Sequence, residues 1–198
     1  MLPVMARPRE FDPDAALERA MQVFWTKGYE ATSLDDLCEA TGLGRSSLYA
    51  AFGDKHALLL RSLDRYEEIS AARIAAALAR PLPICESIAA LLGEFIEKIA
   101  AGPGRRGCFI GNCAAELARH DREALGRVRR SLERTEAQFR TALDRARSRG
   151  ELPPRANPTA LARFFASGIH GLRLVGKTNP DRAVLNDIAA VMLRCFDA

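Results

Sequence analysis

The segment from residue 33 to residue 55 constrains the fold more than any other, because it predicts two short helices joined by a tight turn. Ser33 can cap the first helix, and Asp36, three residues later, can complete a capping box. Gly42 can adopt the left-handed conformation that commonly follows a helix end. A second short helix follows and stops at Gly53. The pattern therefore predicts a helix-turn-helix unit.

The second helix of this unit leaves a polar face open. Leu48 and Phe52 are expected to point into the core, whereas the opposite side carries Arg45, Ser46, Ser47, Tyr49 and Ala50. Such a helix can lie in the major groove of DNA, where Arg reads guanine, Ser reaches bases or phosphates, and Tyr suits a phosphate oxygen. The spacing alone fits an ordinary helical hairpin inside an all-α domain equally well.

A resemblance to a known family favours the first interpretation. Residues 42–59, GLGRSSLYAAFGDKHALL, are similar to the signature of the tetracycline-repressor (TetR) family of transcription regulators, and residues 24–33, FWTKGYEATS, fit the same pattern. The resemblance is specific over roughly residues 11–65. It implies an all-α homodimer whose N-terminal domain binds palindromic operator DNA. The C-terminal domain would bind a small-molecule effector, and repression is favoured over activation.

The residues expected to contact DNA form a local patch. Lys55 begins the fourth helix, where free N–H groups and the helix dipole suit a phosphate. Residues 1–60 contain nine acidic and six basic side chains, although the whole chain has a net charge of +4, so the domain is not basic overall. Arg7 and Arg9 could follow the phosphate backbone or minor groove, or belong to a disordered tail. The expected contacts are Ser33, Arg45, Ser46, Ser47, Tyr49, Ala50 and Lys55. Ala50 and Ala51 stand where family members often carry aromatic or His side chains that touch DNA.

Composition excludes several other classes of protein. The chain has 198 residues, of which 48% are hydrophobic, so it can bury a core. It lacks both an apolar run long enough for a transmembrane helix and the apolar region of a signal peptide, which favours a cytoplasmic location. Five scattered Cys and three distant His predict no metal site, and no cofactor motif is present. A helical enzyme or a helical scaffold remains an alternative, without any paired acid–base spacing to support catalysis.

Hydrophobic periodicity predicts nine helices in two domains. Residues 1–54 would form the DNA-binding domain and residues 55–198 the ligand-binding and dimerisation domain, linked through a helix at about 55–79. Apolar faces on the last two helices could build a four-helix dimer interface or could be internal core. The expected interface residues are Leu161, Phe165, Ile169, Leu185, Ile188 and Met192. Outside the helix-turn-helix unit, helices are expected at about 13–27, 55–79, 84–101, 122–149, 158–175 and 181–196. A short helix is also expected to open within residues 105–112 and to run through about residue 119.

Aromatic residues and one cysteine suggest where an effector could bind. The candidate ligand-pocket residues, most of which could equally be plain packing, are Phe95, Cys108, Phe109, Phe139, Phe165 and His170. Residues 107–116 resemble a segment from one branch of the TetR family, some of whose members sense electrophiles or oxidants through this cysteine. Arg105 and Arg106 precede Cys108, and both they and a helix start favour the reactive thiolate. The alternative is a buried apolar filler. Cys113, five residues later, is poorly placed to form a disulfide with it.

Overall fold

The computed structural model describes residues 11–117 and 119–197, and every regular element in these ranges is helical. The all-α prediction is therefore confirmed. Two short 3-10 helices, Pro103–Arg106 and Arg194–Phe196, follow α5 and α9. The described residues form nine α-helices, which are α1 (Pro13–Lys27), α2 (Leu34–Thr41), α3 (Arg45–Phe52), α4 (Lys55–Leu78), α5 (Ile84–Ala100), α6 (Phe109–Leu117), α7 (Arg122–Ser148), α8 (Pro158–Thr178) and α9 (Arg182–Leu193).

Local capping defines where most of these helices begin. Asp12 caps α1 by accepting a hydrogen bond from the Asp14 N–H at 2.9 Å, and Asn157 accepts one from the Thr159 N–H at 3.0 Å at the start of α8. Both helices continue with a proline, whose missing N–H costs nothing in the first turn. Gly42, with φ of 73°, ends α2 in the left-handed conformation. Caps thus fix the lengths of the short N-terminal helices.

The described residues divide into two compact units, one ending at Arg65 and one starting at Tyr66. The division falls within α4, so this helix contributes to both units. Arg65, the last residue of the first unit, forms an ion pair with Glu18 on α1, with 2.6 Å between the guanidinium nitrogen and the carboxylate oxygen. The largest fully buried side chains of this unit are Phe24, Leu37, Leu58, Leu59 and Leu63.

The second unit is a helical bundle with one apolar core. α7 packs along α8, and the rings of Phe139 and Phe165 stack at 5.9 Å between centroids. The Phe196 ring stacks on the Phe165 ring at 5.6 Å, which anchors the chain after α9. Within the described ranges, every helix is too short or too polar to cross a lipid bilayer.

A glycine in the 3-10 helix before α6 is predicted to be essential for packing. A Cβ atom at Gly104 would lie 2.6 Å from the Ile99 backbone nitrogen, and backbone cannot move aside as a side chain does. We expect Gly104→Ala to lower the free energy of unfolding by about 1–3 kcal/mol. The matched control is Gly93→Ala within α5, where a Cβ meets nothing within 4 Å and should stabilise the helix by about 0.5–1 kcal/mol. Urea unfolding of both variants checks this; equal stabilities would contradict it.

Candidate nucleic-acid interface and candidate effector site

The second helix of the helix-turn-helix unit presents an open polar face. Leu48 and Phe52 are buried, at 2% and 4% exposure, and hold α3 against its unit. The outer face holds, all exposed, Arg45, Ser46, Ser47, Tyr49 and Ala50. The Tyr49 ring is 47% exposed, which is unusual for an aromatic side chain that only packs. This helix is therefore free along the side expected to meet a DNA groove.

Arg45 makes an ion pair that DNA would have to replace. Its guanidinium nitrogen lies 2.7 Å from a carboxylate oxygen of Asp35 on α2, and both side chains are mostly exposed. The hydrogen bond and charge of Asp35 raise the pKa of Arg45. Exposed ion pairs contribute little stability, so exchanging this contact for a guanine edge costs little.

Ser33 serves first as the cap of α2. Its hydroxyl accepts a hydrogen bond from the Asp36 N–H at 3.1 Å, and its own N–H donates to the Asp36 carboxylate at 2.9 Å. The predicted capping box is thus present. Lys27 binds the same carboxylate at 2.6 Å, and this contact, together with Ser33, lowers the pKa of Asp36 to about 2. The network fixes the angle between α1 and α2, and with it the base on which α3 rests.

The start of α4 places Lys55 beside an aromatic ring. The Lys55 ammonium lies 4.4 Å from the centroid of the Tyr29 ring, a cation–π contact that orients the side chain. Asp54 accepts a hydrogen bond from the Ala57 N–H at 2.7 Å and so caps the helix. The two predicted arm residues, Arg7 and Arg9, lie outside the described residues.

A hydrogen-bond network surrounds Cys108 in the second unit. The Tyr66 hydroxyl on α4 donates to the Cys108 sulfur at 3.8 Å. The Arg173 guanidinium on α8 donates to the Tyr66 oxygen at 2.6 Å and to the Gly107 carbonyl at 2.8 Å. Cys108 is 7% exposed and Arg173 is 6% exposed. The network thus joins α4, α8 and the residue before α6 around one thiol.

This environment favours the thiolate of Cys108. Burial alone raises the pKa of a thiol, but the adjacent His170 side chain, the charge of Arg173 and the Gly111 N–H bring the pKa of Cys108 down to about 6. Neither ring nitrogen of His170 has a hydrogen-bond partner of ordinary geometry among the described residues. The ring therefore lowers the pKa of the Cys108 thiol without forming such a hydrogen bond. Burial raises the pKa of Tyr66 to about 12, so the phenol remains neutral.

The other cysteines with a resolved shift differ from Cys108 in this respect. Burial raises the pKa of Cys113 to about 12 and that of Cys195 to about 11. Burial also raises the pKa of Cys85. At neutral pH the raised pKa of these three thiols favours the protonated, unreactive form, whereas the lowered pKa of Cys108 favours its thiolate.

The six candidate pocket residues fall into two groups. Phe95 and Phe109 lie beside the network: Phe109 meets the Tyr66 ring edge-on at 5.6 Å, and the Arg173 guanidinium lies 5.2 Å from the Phe95 centroid. Cys108 belongs to the network itself, and His170 lies beside it and lowers the pKa of the Cys108 thiol. Phe139 and Phe165 instead stack on each other within the apolar core.

Sequence reasoning missed Arg173 and Tyr66. A signal for the first was available, because Arg173 follows Ile169 and Leu172 at the spacing of the buried face of its helix. A charge on an apolar helix face needs a partner, and that partner could have been sought. No comparable signal identified Tyr66, since it comes from α4 and lies 107 residues earlier in the chain.

The six expected dimer-interface residues differ in accessibility. Phe165, Ile169, Leu185 and Met192 are buried in the core of the chain itself, whereas Leu161 and Ile188 are partly buried at its edge. The outer surfaces of α8 and α9 carry three exposed large apolar side chains, Phe164, Leu174 and Val191, at 43%, 66% and 59% exposure.

No group of three His, Cys, Asp or Glu side chains within residues 11–117 and 119–197 is arranged to hold a metal ion.

Comparisons with known proteins agree with this architecture. Residues 16–61 match the bacterial regulatory proteins of the tetR family, and residues 85–192 match the tetracyclin repressor-like C-terminal domain. The HTH-type transcriptional repressor ComR of Escherichia coli is 35% identical over 96% of this chain and 91% of its own length. The HTH-type transcriptional regulator YezE of Bacillus subtilis is 33% identical over 98% of this chain and 100% of its own.

A solved structure supports the same conclusion. A cysteine mutant of the TetR family transcriptional regulator CifR, in complex with 26-base-pair double-strand operator DNA, is 31% identical to this chain. It superposes with a TM-score of 0.85, covering 96% of this chain and 100% of CifR. Two family domains and a full-length relative above 30% identity decide the assignment, and the chain belongs to the TetR family of transcription regulators.

Proposed function

We propose that this regulator represses transcription by binding a palindromic operator as a homodimer, and that an effector in its C-terminal domain releases it. The observation that carries the proposal is the exposed polar face of α3, which follows an α2 helix that begins with a capping box. Residues 1–54 would contact DNA, and residues 55–198 would hold the effector and the dimer interface. Such a protein would act in the cytoplasm, where its operator lies.

Two-fold symmetry supplies the operator geometry. A dimer would place two α3 helices in successive major grooves, roughly 34 Å apart or a multiple of that distance. Arg45 would read one base pair, and Ser46 and Ser47 would contact bases or phosphates beside it. Ser33, Tyr49 and Lys55 would hold the phosphate backbone, and Ala50 would allow close approach of the helix.

Substitutions on α3 should separate sequence reading from positioning. We expect Arg45→Ala to reduce preference for one base pair by about 1–3 kcal/mol. Tyr49→Phe should weaken all duplexes alike, since phosphate contacts carry no sequence information. Fluorescence anisotropy should use the inverted repeat nearest the gene, single-base variants of it and a scrambled duplex. Equal loss of specificity in both variants contradicts this division, and no preference of the wild type for any inverted repeat contradicts operator binding.

The dimer interface is proposed on α8 and α9, through their exposed apolar side chains. Phe164 and Leu174 are ten residues apart on α8, which places them about 80° apart around the helix, on adjacent parts of its surface. Gly171, between them, allows close approach of a partner helix. On α9, Val191 is exposed and Ile188, three residues earlier, is partly buried. Exposed apolar side chains of this size, clustered on two helices, are typical of an interface.

Release is proposed to act through the Cys108 network, either by a small molecule or by modification of the thiol. Cys108 touches Tyr66, which lies on α4, the same helix that begins with Lys55. Modification would add bulk to a site with 7% exposure, so the Tyr66 and Arg173 contacts would have to change. An effector needs such a two-state element if it is to change DNA affinity.

A further inference from the structure

Three cationic side chains gather around one buried phenylalanine. The guanidinium carbon of Arg73 on α4 lies 4.6 Å from the centroid of the Phe95 ring, and that of Arg173 on α8 lies 5.2 Å from the same centroid. Both guanidinium groups therefore lie against the same ring, and the charge of Arg173 acts on Arg73. Lys98 follows Phe95 by three residues on α5, which puts it on the same side of that helix.

The three cations are graded in burial. Lys98 is exposed, Arg73 is partly buried, and Arg173 is 6% exposed. Arg173 binds Tyr66, which in turn contacts the Cys108 sulfur. The three positive charges therefore extend from Lys98 at the surface to Arg173, which binds the residue that contacts the thiol.

These cations have few anionic partners. Glu94 acts on Arg73 and Lys98, but its carboxylate is hydrogen-bonded to Arg80. In the described part of the chain, Arg73 makes a ring contact with Phe95 but neither a hydrogen bond nor an ion pair. A partly buried cation without a paired anion carries a desolvation cost that a bound anion would offset.

Arg173 has no carboxylate among its hydrogen-bond acceptors in the described residues. These acceptors are a neutral phenol, Tyr66, and a backbone carbonyl, Gly107. Burial lowers the pKa of Arg173, but the charge of the Cys108 thiolate, followed by Tyr66, raises it overall.

Neighbouring positive charges affect the pKa values of Arg73 and Lys98. Burial, and next the charge of Arg173, lower the pKa of Arg73. Burial, and next the charge of Arg73, lower the pKa of Lys98. Burial is the larger cause, and the repulsion that adds to these shifts would be relieved by an anion placed among the three groups.

We propose that Arg73 and Arg173, with Lys98 at the entrance, bind the carboxylate of a small organic anion that delivers an electrophilic carbon to Cys108. The inference rests on the proposed role of Cys108 as the effector-responsive group and assigns the chemical class of its effector. The thiolate attacks the carbon, a C–S bond forms, and the leaving group departs with its bonding electron pair. The step needs no oxidant or reductant.

Two alkylating agents of nearly equal size test the charge preference. Iodoacetate carries the carboxylate and iodoacetamide replaces it with a neutral amide, and both release iodide when the thiolate attacks. The rate ratio of the two agents at Cys108, followed by peptide mass spectrometry, is independent of the thiolate fraction. The reference is the same ratio at Cys108 in protein unfolded in urea. We expect the folded protein to favour iodoacetate by about tenfold or more relative to that reference.

Matched variants assign the preference to individual cations. Arg73→Gln should lower the ratio about threefold or more, Lys98→Gln should lower it less, and Arg73→Lys should retain most of it. Arg145→Gln, an exposed arginine on α7, changes the net charge equally and should leave the ratio unchanged. Circular dichroism confirms that each variant is folded, and the exposed position of Lys98 keeps one informative variant safe from unfolding.

The remaining outcomes distinguish the anion site from the proposed switch at Cys108. Equal ratios in folded and unfolded protein, equal losses for Arg73→Gln and Arg145→Gln, or no reaction of folded Cys108 with either agent overturn the anion site. If iodoacetamide releases operator DNA but the ratios are equal, the switch at Cys108 stands and the anion site fails. If the ratio is high but alkylation leaves DNA binding intact, the anion site stands and the switch fails.

Discussion

Replacing Phe164 or Leu174 with Arg should convert the proposed dimer to a monomer and lower operator affinity by about 10²–10⁴-fold. The loss is large because two half-sites bound together gain from effective concentration, whereas a monomer binds each half-site alone. An Arg at either position would place an unpaired charge in a dry interface. The two side chains are 43% and 66% exposed in the single chain, so the substitutions should leave its fold intact.

The matched control is Leu132→Arg on α7, an apolar residue that is 40% exposed and lies outside α8 and α9. Light scattering should show a dimer for this control and a monomer for the other two variants, with similar thermal unfolding for all three. A Leu174→Arg protein that remains dimeric and binds DNA normally would place the interface elsewhere. Phe165→Arg is not a useful test, because Phe165 is 0% exposed and the charge would disrupt the core of each chain.

Helix positions could be predicted from the sequence where local chemistry decides them. Ser33 caps α2 as expected, and Asp12 and Asn157 cap α1 and α8 in the same way, because a cap requires only a side chain and the N–H groups of the next few residues. Ends were less certain where no cap is present. α8 was expected to stop near residue 175 and continues to Thr178, since Pro180 rather than the preceding polar residues limits it.

Apolar periodicity identified the buried faces but not what covers them. Phe165, Ile169, Leu185 and Met192 follow the spacing of an apolar face, and the spacing is the same whether the partner is the same chain or a second copy. The structure places these four in the chain's own core. The exposed residues Phe164, Leu174 and Val191 carry the interface proposal in their place.

The candidate effector site was only half predictable. Cys108 and its two preceding arginines could be noticed in the sequence, and the resemblance to a cysteine-sensing branch indicated the same residue. The groups that tune it, Tyr66, His170 and Arg173, come from α4 and α8, and they meet only after the bundle has formed. Arg105 and Arg106, by contrast, are absent from the interactions that lower the pKa of Cys108.

Alkylation of Cys108 by iodoacetamide should release operator DNA from the wild-type protein and leave Cys108→Ser bound. The rate of alkylation should rise with pH through a midpoint of about 6, because the thiolate is the nucleophile and the pKa of Cys108 lies there. Above about pH 7 the rate should be nearly constant. A midpoint near 9.0, the ordinary value for a thiol, would contradict the proposed environment.

Loss of the Arg173 side chain should move this midpoint upward. Removing its positive charge in Arg173→Gln stabilises the thiolate less, so the pKa of Cys108 should shift towards 9.0, whereas Arg173→Lys should retain part of the effect. At pH 6 the rate should fall roughly tenfold, since the greater nucleophilicity of a more basic thiolate offsets part of the lost thiolate fraction. His170→Asn should move the midpoint in the same direction. Tyr66, Arg73 and the Gly111 N–H also act on this charge network and remain unchanged in these variants.

Mass spectrometry of the Cys108 peptide between pH 5 and 9, with Cys113 as a thiol that stays unreactive, measures each midpoint. An unchanged midpoint in folded Arg173→Gln would mean that Arg173 only supports packing.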